Sequence, residues 1–444
     1  VMGKGSGLIK QVLGDLGLTC SPGRVSWRVL WSPRCVPLDL YRQLAHYQVV
    51  NRMPSSQALT RKDALVANIR RMVKRHGAEH FGMMIPKTFL LPSESERLRN
   101  EMITKPNALW IVKPATGSQG RDIRVMKSNS KLTMFGKTNA IVSRYLGPFL
   151  IDNRKFDLRL YVVVTCIDPL RVYWHEEGLV RMSTEPYSTD LSQLSNGYVH
   201  LTNAAINRNH PDYDDVSELG HKRPLSSLWQ LIGPERSETV KLAISSLIAK
   251  TFVSVHSVLS NGIQVHVPHR RANQLFELFG FDVLLDNKLH PWLLEVNRSP
   301  TLSGASPLDT EIKRRMLSDL FSLVGVKTNA YRPGGGRTQT SMSLAAYRQA
   351  IIAEADAEYE RRHGWQRVYP RYEPHPRMAL AQFFEERQAR SIAAYLCNRI
   401  APPANARRQH SDRKSGGKFS SRILDRALLG RVRRKFGMHY AAMR

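Results

Sequence analysis

The chain has 444 residues, 42% of them apolar, which is enough for two or three domains with their own cores. Its 66 Lys and Arg against 37 Asp and Glu give a net charge of +29, which predicts a polyanionic partner: nucleic acid, an anionic membrane or an acidic protein. Scattered cysteines exclude a disulfide framework or a cysteine metal site and predict a reducing compartment, and the lack of about 18 uninterrupted apolar residues disfavours a spanning helix.

Hydrophobic periodicity and turn residues predict the main elements of the chain. In chain order they are a helix over 63–75, strands over 86–91, 109–113, 155–164 and 170–174, a helix over 239–259, a strand pair over 281–297, and a Gly-rich linker at 333–336. Residues 1–34 carry little pattern. Beyond the linker the composition shifts towards arginine, which predicts a separate basic appendage over 331–444.

A polar loop follows the strand that ends at Lys113 and Pro114. It contains Gly117, Ser118 and Gly120, and a strand feeding such a loop lets backbone N–H groups approach phosphate oxygens. Taken alone, this pattern is more often a simple turn, and no Walker motif follows it.

The predicted strand 155–164 alternates cleanly between two kinds of side chain. Lys155, Asp157 and Arg159 share one face, while the opposite face is apolar. Such a face is usually solvated, but the planar fork of Arg159 suits a phosphate or carboxylate, and Arg181 is a second candidate. The segment 200–203 adds a hydroxyl and an amide, whereas His200 itself has the pattern of a structural histidine.

Asp282, Glu295 and Asn297 lie on the strand pair 281–297, which is joined by a predicted two-residue turn at Asn287 and Lys288. Pairing Asp286 with Leu289 would set Asp282 diagonal to Glu295, within about 7–8 Å. Trp292, Leu294 and Val296 are expected on the other face, in the core. Two carboxylates and an amide oxygen at that range predict a Mg²⁺ site.

The order and spacing of these segments resemble the tubulin-tyrosine-ligase-like family. The matching segments are Trp110–Pro114, Asp152–Tyr161, Glu177–Arg181, His200–Asn203, Phe279–Asp282 and Pro291–Asn297, within a region from about Leu38 to Ile312. The resemblance implies an α+β ATP-grasp fold, in which two lobes clasp ATP. The domains then expected are a poorly defined segment 1–34, a small N-terminal domain 35–85, a central lobe 86–150, a C-terminal lobe 151–330 with the Mg/ATP site, and a basic helical extension 331–444.

The resemblance also implies roles for individual residues. Arg159, Arg181 and Glu295 would be catalytic, with the two arginines binding the γ-phosphate and the reacting carboxylates. Mg²⁺ would be bound by Asp282, Glu295 and Asn297. ATP would be bound by Lys113, Gly117, Ser118, Gln119, Gly120, Arg121, Arg144, Tyr145, Leu146, Lys155, Asp157, Thr202 and Asn203, with 144–146 holding adenine.

Two positions depart from the family pattern. Asp122 stands where relatives usually carry a second glycine, and Ser143 stands where a glutamine is common. The tail is similar to that of the glutamylating branch over 358–370, and apolar residues recur every four positions among arginines over 422–436. That periodicity predicts a basic amphipathic helix, either docked on the core or clamping an acidic microtubule surface.

The first functional hypothesis is therefore a tubulin polyglutamylase. It would use ATP and Mg²⁺ to join free glutamate to glutamate side chains of tubulin tails through an acyl phosphate, as a monomer in the cytoplasm and cytoskeleton, including the cilium, flagellum or basal body. Glycylation and modification of another acidic protein remain open. A catalytically inactive microtubule-binding member is a second class, prompted by Asp122 and Ser143. Nucleic acid is a third and less favoured partner, because no recognition module is present, and no membrane partner is expected.

Overall fold

The computed structural model describes residues 7–19, 27–45, 47–115, 120, 122–128, 139–217, 220–267, 274–304, 306–326, 344–370, 380 and 383. They form an α+β fold in which a smaller and a larger sheet flank a cleft. The helices are α1 (Gly7–Asp15), α2 (Leu38–Arg42), α3 (Gln57–Thr60), α4 (Lys62–His76), α5 (Ala78–Phe81), α6 (Ser95–Thr104), α7 (Gly197–His200), α8 (Ala204–Asn207), α9 (Leu225–Ile232), α10 (Pro234–His266), α11 (Pro307–Leu323) and α12 (Leu344–Glu360).

The strands confirm most of the predicted ones, with shifted ends. They are β1 (Val29–Leu30), β2 (Val49–Val50), β3 (Thr88–Leu90), β4 (Leu109–Pro114), β5 (Arg124–Lys127), β6 (Ala140–Arg144), β7 (Leu150–Ile151), β8 (Arg154–Ile167), β9 (Leu170–His175), β10 (Leu179–Met182), β11 (Lys222–Pro224), β12 (Glu277–Leu285), β13 (Pro291–Asn297) and β14 (Trp365–Tyr369).

The smaller sheet has the order β3-β6-β4-β5 and is antiparallel throughout. Its core contains Trp110, Phe89 and Val142, covered by Leu98 and Met102 of α6. Alternation along β4 sends Trp110 and Val112 into this core and leaves Lys113 half-buried, as the period of a strand requires.

The larger sheet is built around β8, which pairs with β10 along its first half, with β9 along its second half and with β12 on its other side. The predicted alternation is confirmed: Phe156, Leu158 and Leu160 pack in one core, and Tyr161 packs on the opposite face of the sheet. An apolar layer therefore backs the strand that carries Lys155, Asp157 and Arg159.

Helix α10 is longer than predicted and runs across the core of the larger sheet. Gly233 and Pro234 start it, because proline at the first helical position has the φ that a helix needs. Among the described residues it is the helix that has the length and apolar composition to cross a membrane, yet 67% of its most apolar window is buried inside the protein. Its packing is that of a central core helix.

The hairpin of β12 and β13 differs from the predicted one. The N–H of Asp286 donates to the carbonyl of His290 (3.1 Å), so the loop has three residues rather than two. A β-bulge lies between Val283, which pairs with Leu293, and Asp282, which pairs with Glu295. The longer loop and the bulge each shift the register by one residue, so Asp282 lies directly opposite Glu295 instead of in the predicted diagonal position.

The bulge also changes which side chains of β13 face the core. Leu293 and Val296 belong to the buried core, whereas Leu294 is half-buried and lines the cleft. Trp292 donates its indole N–H to Asp286 (2.9 Å). The predicted core position is therefore confirmed for Val296 and wrong for Leu294, whereas Trp292 is buried as predicted.

Two predicted boundaries do not coincide with separate cores. Tyr41, Leu59 and Ile69 from the predicted N-terminal domain share one apolar cluster with the larger sheet. Part of the predicted C-terminal appendage also packs on the body: β14 pairs with β9, and Trp365 is fully buried. Residues 384–444, including the predicted basic helix, lie outside the described residues.

Candidate active site

The cleft between the two sheets holds two adjoining cavities. The first has an empty volume of about 780 Å³, part of it open to solvent, and is mainly apolar; the second, also open to solvent, has about 800 Å³ and is more polar. Lys62, Lys113, Lys155 and Glu295 line both of them. An apolar end joined to a charged end suits a ligand with an apolar ring and an anionic chain.

The apolar end is lined by β4, β6 and the segment that links the sheets. Ile111, Ile141 and Leu294 provide apolar walls, and Arg144 and Tyr145 lie at the link. The guanidinium of Arg144 lies 5.5 Å from the ring of Trp110, and its buried Nη1 has no hydrogen-bond partner within the described part of the chain. A purine would find apolar contact with Ile111, Ile141 and Leu294 here, so these residues fit an adenine ring.

Amino groups gather where the two cavities meet. Lys155 donates to the Tyr145 hydroxyl (3.1 Å) and lies 4.4 Å from its ring centre. Burial, reinforced by the neighbouring Lys113, lowers the pKa of Lys155 to about 7. Burial also lowers the pKa of Lys113, although the Glu295 carboxylate opposes it. Amines held this closely favour a polyanion such as a polyphosphate.

His200 supports this arrangement through hydrogen bonds. Its Nδ1 lies 2.9 Å from the Tyr145 hydroxyl and its Nε2 lies 3.1 Å from the carbonyl of Gln193. Burial and the charge of Lys155 lower the pKa of His200 to about 4, so the imidazole is neutral near pH 7. The structural role predicted for His200 agrees with these contacts.

Behind the amines, two arginines and two carboxylates form a closed network. Arg181 donates to both carboxylate oxygens of Asp157 (2.7 and 2.6 Å) and lies 3.0 Å from Asp282. Arg159 donates to both oxygens of Asp282 (2.7 and 3.2 Å). The hydroxyl of Thr202 donates to Asp157 (2.6 Å). Forked arginine contacts of this kind fix the carboxylates in place.

The electrostatics of this network favour the ionised form of Asp282. Burial of Asp282 disfavours its charged form, but Arg159 and Arg181 outweigh burial and hold its pKa well below its usual range. For Arg181, burial would lower the pKa, but Asp157 and Asp282 raise it well above its usual value.

The predicted metal ligands converge at the polar end. Asp282 pairs directly with Glu295 across the hairpin, and Asn297 Nδ2 lies 3.2 Å from Glu295 Oε1 and 3.4 Å from Asp282 Oδ2. The described residues contain no cluster of three His, Cys, Asp or Glu arranged for a metal, since the third member here is an amide. Two carboxylates and an amide oxygen are nonetheless the hard donors that Mg²⁺ prefers, so the set fits that ion.

Of the polar loop after β4, predicted to bind phosphate, the structure describes Gly120 and Asp122. Gly120 has φ +77°, and a Cβ there would lie 2.6 Å from Ile206 Cδ1 and 3.0 Å from Asn203 Oδ1. Asp122 has φ +57°, a conformation that glycine adopts most easily, and its side chain is exposed. Gly117, Ser118, Gln119 and Arg121 lie outside the described residues.

Most of the predicted site residues lie together. Those that line the cleft are Lys113, Gly120, Arg144, Tyr145, Leu146, Lys155, Asp157, Thr202, Asn203, Asp282, Glu295 and Asn297. Arg159 and Arg181 are not among the described residues that line the cleft. They lie directly behind Asp282 and Asp157 and meet the site through them. Ser143 lines the apolar end, and its hydroxyl lies 2.9 Å from that of Thr88.

Sequence reasoning missed Lys62 as a site residue. It begins α4, lines both cavities and forms an ion pair with Glu295 (3.0 Å). The sequence offers only an Arg-Lys-Asp triplet before an amphipathic helix, which has the appearance of an ordinary helix start. Ile111 and Leu294 were missed because apolar strand residues give no signal of facing a ligand.

Comparison with known proteins gives one family and several relatives. The Tubulin-tyrosine ligase family matches residues 41–332, more than half of the chain. The chain is 40% identical to the Tubulin polyglutamylase TTLL5 of Mus musculus over 329 residues, covering 72% of this chain and 24% of the relative. It is 37% identical to the Tubulin monoglutamylase TTLL4 of Mus musculus over 325 residues, with 72% and 27% covered. It is 35% identical to the Tubulin polyglutamylase ttll6 of Danio rerio over 366 residues, with 78% and 46% covered. The matched part therefore spans from about a quarter to under half of these relatives' length.

Proposed function

This chain belongs to the tubulin-tyrosine ligase family, and on that premise we propose that it is an ATP- and Mg²⁺-dependent ligase that adds glutamate to glutamate side chains of tubulin C-terminal tails. The observation that carries the proposal is the cleft itself. Hard oxygen donors from Asp282 and Glu295 lie beside Lys113 and Lys155, at the charged end of a cavity whose other end is apolar. This combination supports a metal-bound nucleotide rather than a simple anion.

The chemistry we propose has two steps. The γ-phosphoryl group of ATP passes to a carboxylate oxygen of the acceptor, giving an acyl phosphate and ADP. The amine of the donor amino acid then attacks the acyl carbon, phosphate leaves with the C–O electron pair, and an amide bond forms as the amine loses a proton. Mg²⁺, when bound, would neutralise charge on the phosphates.

The residues of the chain would mainly bind and orient the reactants. Lys113 and Lys155 would contact phosphates. Arg159 and Arg181 are aligned beside Asp282, and they would bind the reacting carboxylates and the transferred group by exchanging carboxylate partners. Positioned guanidiniums of this kind stabilise the charge that develops in phosphoryl transfer.

The partner we propose is the acidic tail of tubulin. The relatives are named as tubulin polyglutamylases and a tubulin monoglutamylase, and the net charge of +29 suits an acidic acceptor. We propose that the chain acts as a monomer in the cytoplasm on the cytoskeleton, including the cilium, flagellum or basal body, and that residues 422–436 strengthen microtubule binding.

An inactive microtubule-binding member is the second candidate, suggested by Asp122 and Ser143. The surroundings of these two residues argue against an inactive protein. The Asp122 side chain is exposed and is not among the described residues that line the cleft, and the Ser143 hydroxyl contacts that of Thr88. Neither residue contacts the metal-ligand set in the hydrogen bonds of the described residues.

The test is incorporation of labelled glutamate into microtubules with ATP and Mg²⁺. Wild type is compared with Glu295→Gln, which removes one proposed ligand charge, and with Glu311→Gln, an exposed glutamate on α11, as the matched control. Microtubules stripped of their tails by protease and a parallel reaction with labelled glycine complete the design. Mass spectrometry of the tails identifies the bond formed.

We expect incorporation by wild type and by Glu311→Gln, loss with Glu295→Gln, and no label on stripped microtubules. Glycine incorporation without glutamate incorporation would make the chain a glycylase. If the protein binds microtubules but incorporates no labelled amino acid with any divalent metal, the inactive member is favoured and the ligase is refuted.

A further inference from the structure

The turn between β12 and β13 is organised by one carboxylate, that of Asp286. Its Oδ1 accepts the backbone N–H of Lys288 (2.9 Å) and of His290 (2.9 Å), and its Oδ2 accepts the indole N–H of Trp292 (2.9 Å). Leu289 has φ +62°, an uncommon conformation for a residue with a branched side chain. Three hydrogen bonds to one side chain therefore fix a turn that its own backbone does not favour.

This turn is attached to the segment that links the two sheets. Pro148 forms a β-bridge with Asp286, the N–H of Asn287 donates to the carbonyl of Gly147 (3.2 Å), and the N–H of Phe149 donates to Leu285 (2.9 Å). That segment continues directly from Tyr145 and Leu146, which line the apolar end of the cleft.

The same turn lies at the end of the strands that carry the metal-ligand candidates. Asp282 is four residues from Asp286 along β12, about 13 Å in an extended strand. The hairpin is also tied to the N-terminal side of the cleft, since His290 Nε2 lies 2.9 Å from the carbonyl of Met83 and Leu293 N–H donates to Met84 (2.9 Å). One turn thus connects the wall of the apolar end with the carboxylates of the charged end.

We propose that Asp286 is a positioning residue for nucleotide binding, acting by holding the adenine-side link and the metal-binding hairpin in fixed relation. This rests on the nucleotide site of the proposed function. A nucleotide must contact both ends of the cleft at once, so loosening the relation between them adds an ordering cost to binding. Catalysis in the fully bound complex changes less, because bound nucleotide restores the relation.

The experiment measures the Kd of a fluorescent ADP analogue with Mg²⁺, and the KM for ATP and kcat in the glutamate assay. Asp286→Ala removes all three hydrogen bonds. Asp286→Asn keeps one carbonyl oxygen for the backbone N–H groups. Trp292→Phe removes only the indole donor, and Asp39→Ala, an exposed carboxylate on α2, is the matched control.

We expect Asp286→Ala to raise the Kd and the KM for ATP about 10- to 100-fold, the range for residues that orient ligand-binding groups. The expected kcat at saturating ATP stays within about threefold of wild type. Asp286→Asn should recover most of the affinity, Trp292→Phe should weaken binding by about threefold, and Asp39→Ala should leave it unchanged, as expected when one hydrogen bond or none is lost.

The outcomes distinguish this proposal from the proposed function. If wild type binds the analogue and Asp286→Ala binds equally well, or loses thermal stability without any change in Kd, the positioning role is refuted while the ligase stands. Should Asp286→Ala fail to fold, unchanged Kd values for both Asp286→Asn and Trp292→Phe would refute it equally. A wild type that binds no nucleotide would overturn both proposals.

Discussion

Replacing Arg181 with methionine should destabilise the protein strongly, because it removes the cation shared by two buried carboxylates. The side chains of Arg181 and Asp157 are only 9% and 6% exposed, and that of Asp282 is 4% exposed. Removing one member of a buried ion pair costs roughly 3–5 kcal/mol. Asp157 keeps the Thr202 hydroxyl and Asp282 keeps Arg159, so we expect a value near 3 kcal/mol.

Thermal denaturation at pH 7.5 measures this effect. At about 2–4 °C per kcal/mol for a domain of moderate size, a loss near 3 kcal/mol lowers Tm by roughly 6–12 °C. The matched control is Arg315→Met, whose exposed guanidinium pairs with Glu176 and should contribute no more than about 1 kcal/mol.

The pH dependence provides an independent check. The pKa of Asp282 is depressed in the folded protein, so its stabilising contribution is present above its unfolded pKa and is lost as pH falls through the folded value. The Arg181→Met variant lacks part of this contribution, so the stability gap to wild type should stay constant from pH 7.5 to about pH 5 and narrow as pH falls below the unfolded Asp pKa of about 4. A Tm equal to that of Arg315→Met, or a gap that widens at low pH, would refute this reasoning.

Three further predictions concern the cleft and the tail. Gly120→Ala should raise the Kd for nucleotide, because the new Cβ meets Ile206 Cδ1, and adding Ile206→Val should recover part of the affinity; a wild-type Kd for Gly120→Ala would contradict this. Nucleotide binding at pH 8 should take up a fraction of a proton, because phosphates raise the pKa of Lys155 from about 7; calorimetry in two buffers should detect clearly less uptake in Lys155→Met than in wild type, and equal uptake would contradict this. A chain ending at residue 343 should unfold at a much lower temperature than one ending at 383, because it lacks β14 and the fully buried Trp365; equal Tm values would mean that β14 is dispensable.

The sequence predicted those parts of the site that local periodicity determines. Lys155, Asp157 and Arg159 were placed on one face because charged and apolar residues alternate with the period of a strand. The strands bearing Asp282 and Glu295 were found for the same reason. Alternation is a property of neighbouring residues, so it can be read without knowing the partner strands.

Features that depend on distant residues were not predictable in this way. Leu293 and Leu294 are chemically identical, so nothing in the composition marks which of them is the extra residue of the bulge. The ion pair of Lys62 with Glu295 joins segments more than 200 positions apart in the chain. Arg171 has a fully buried side chain paired with Glu354 of α12, and that pairing shows why part of the arginine-rich tail belongs to the body.

The bulge in β13 acts as a phase shift along the strand. Before the bulge Leu293 points to the hydrophobic core, and after it Glu295 and Asn297 point to the ligand side. In a regular strand all three side chains would lie on the same face. If the strand were regular, with Leu294 in an ordinary alternating position, Val296 would face the ligand side and the two polar side chains would face the core. The chemistry of this protein therefore depends on the count of residues in one strand as much as on their identity.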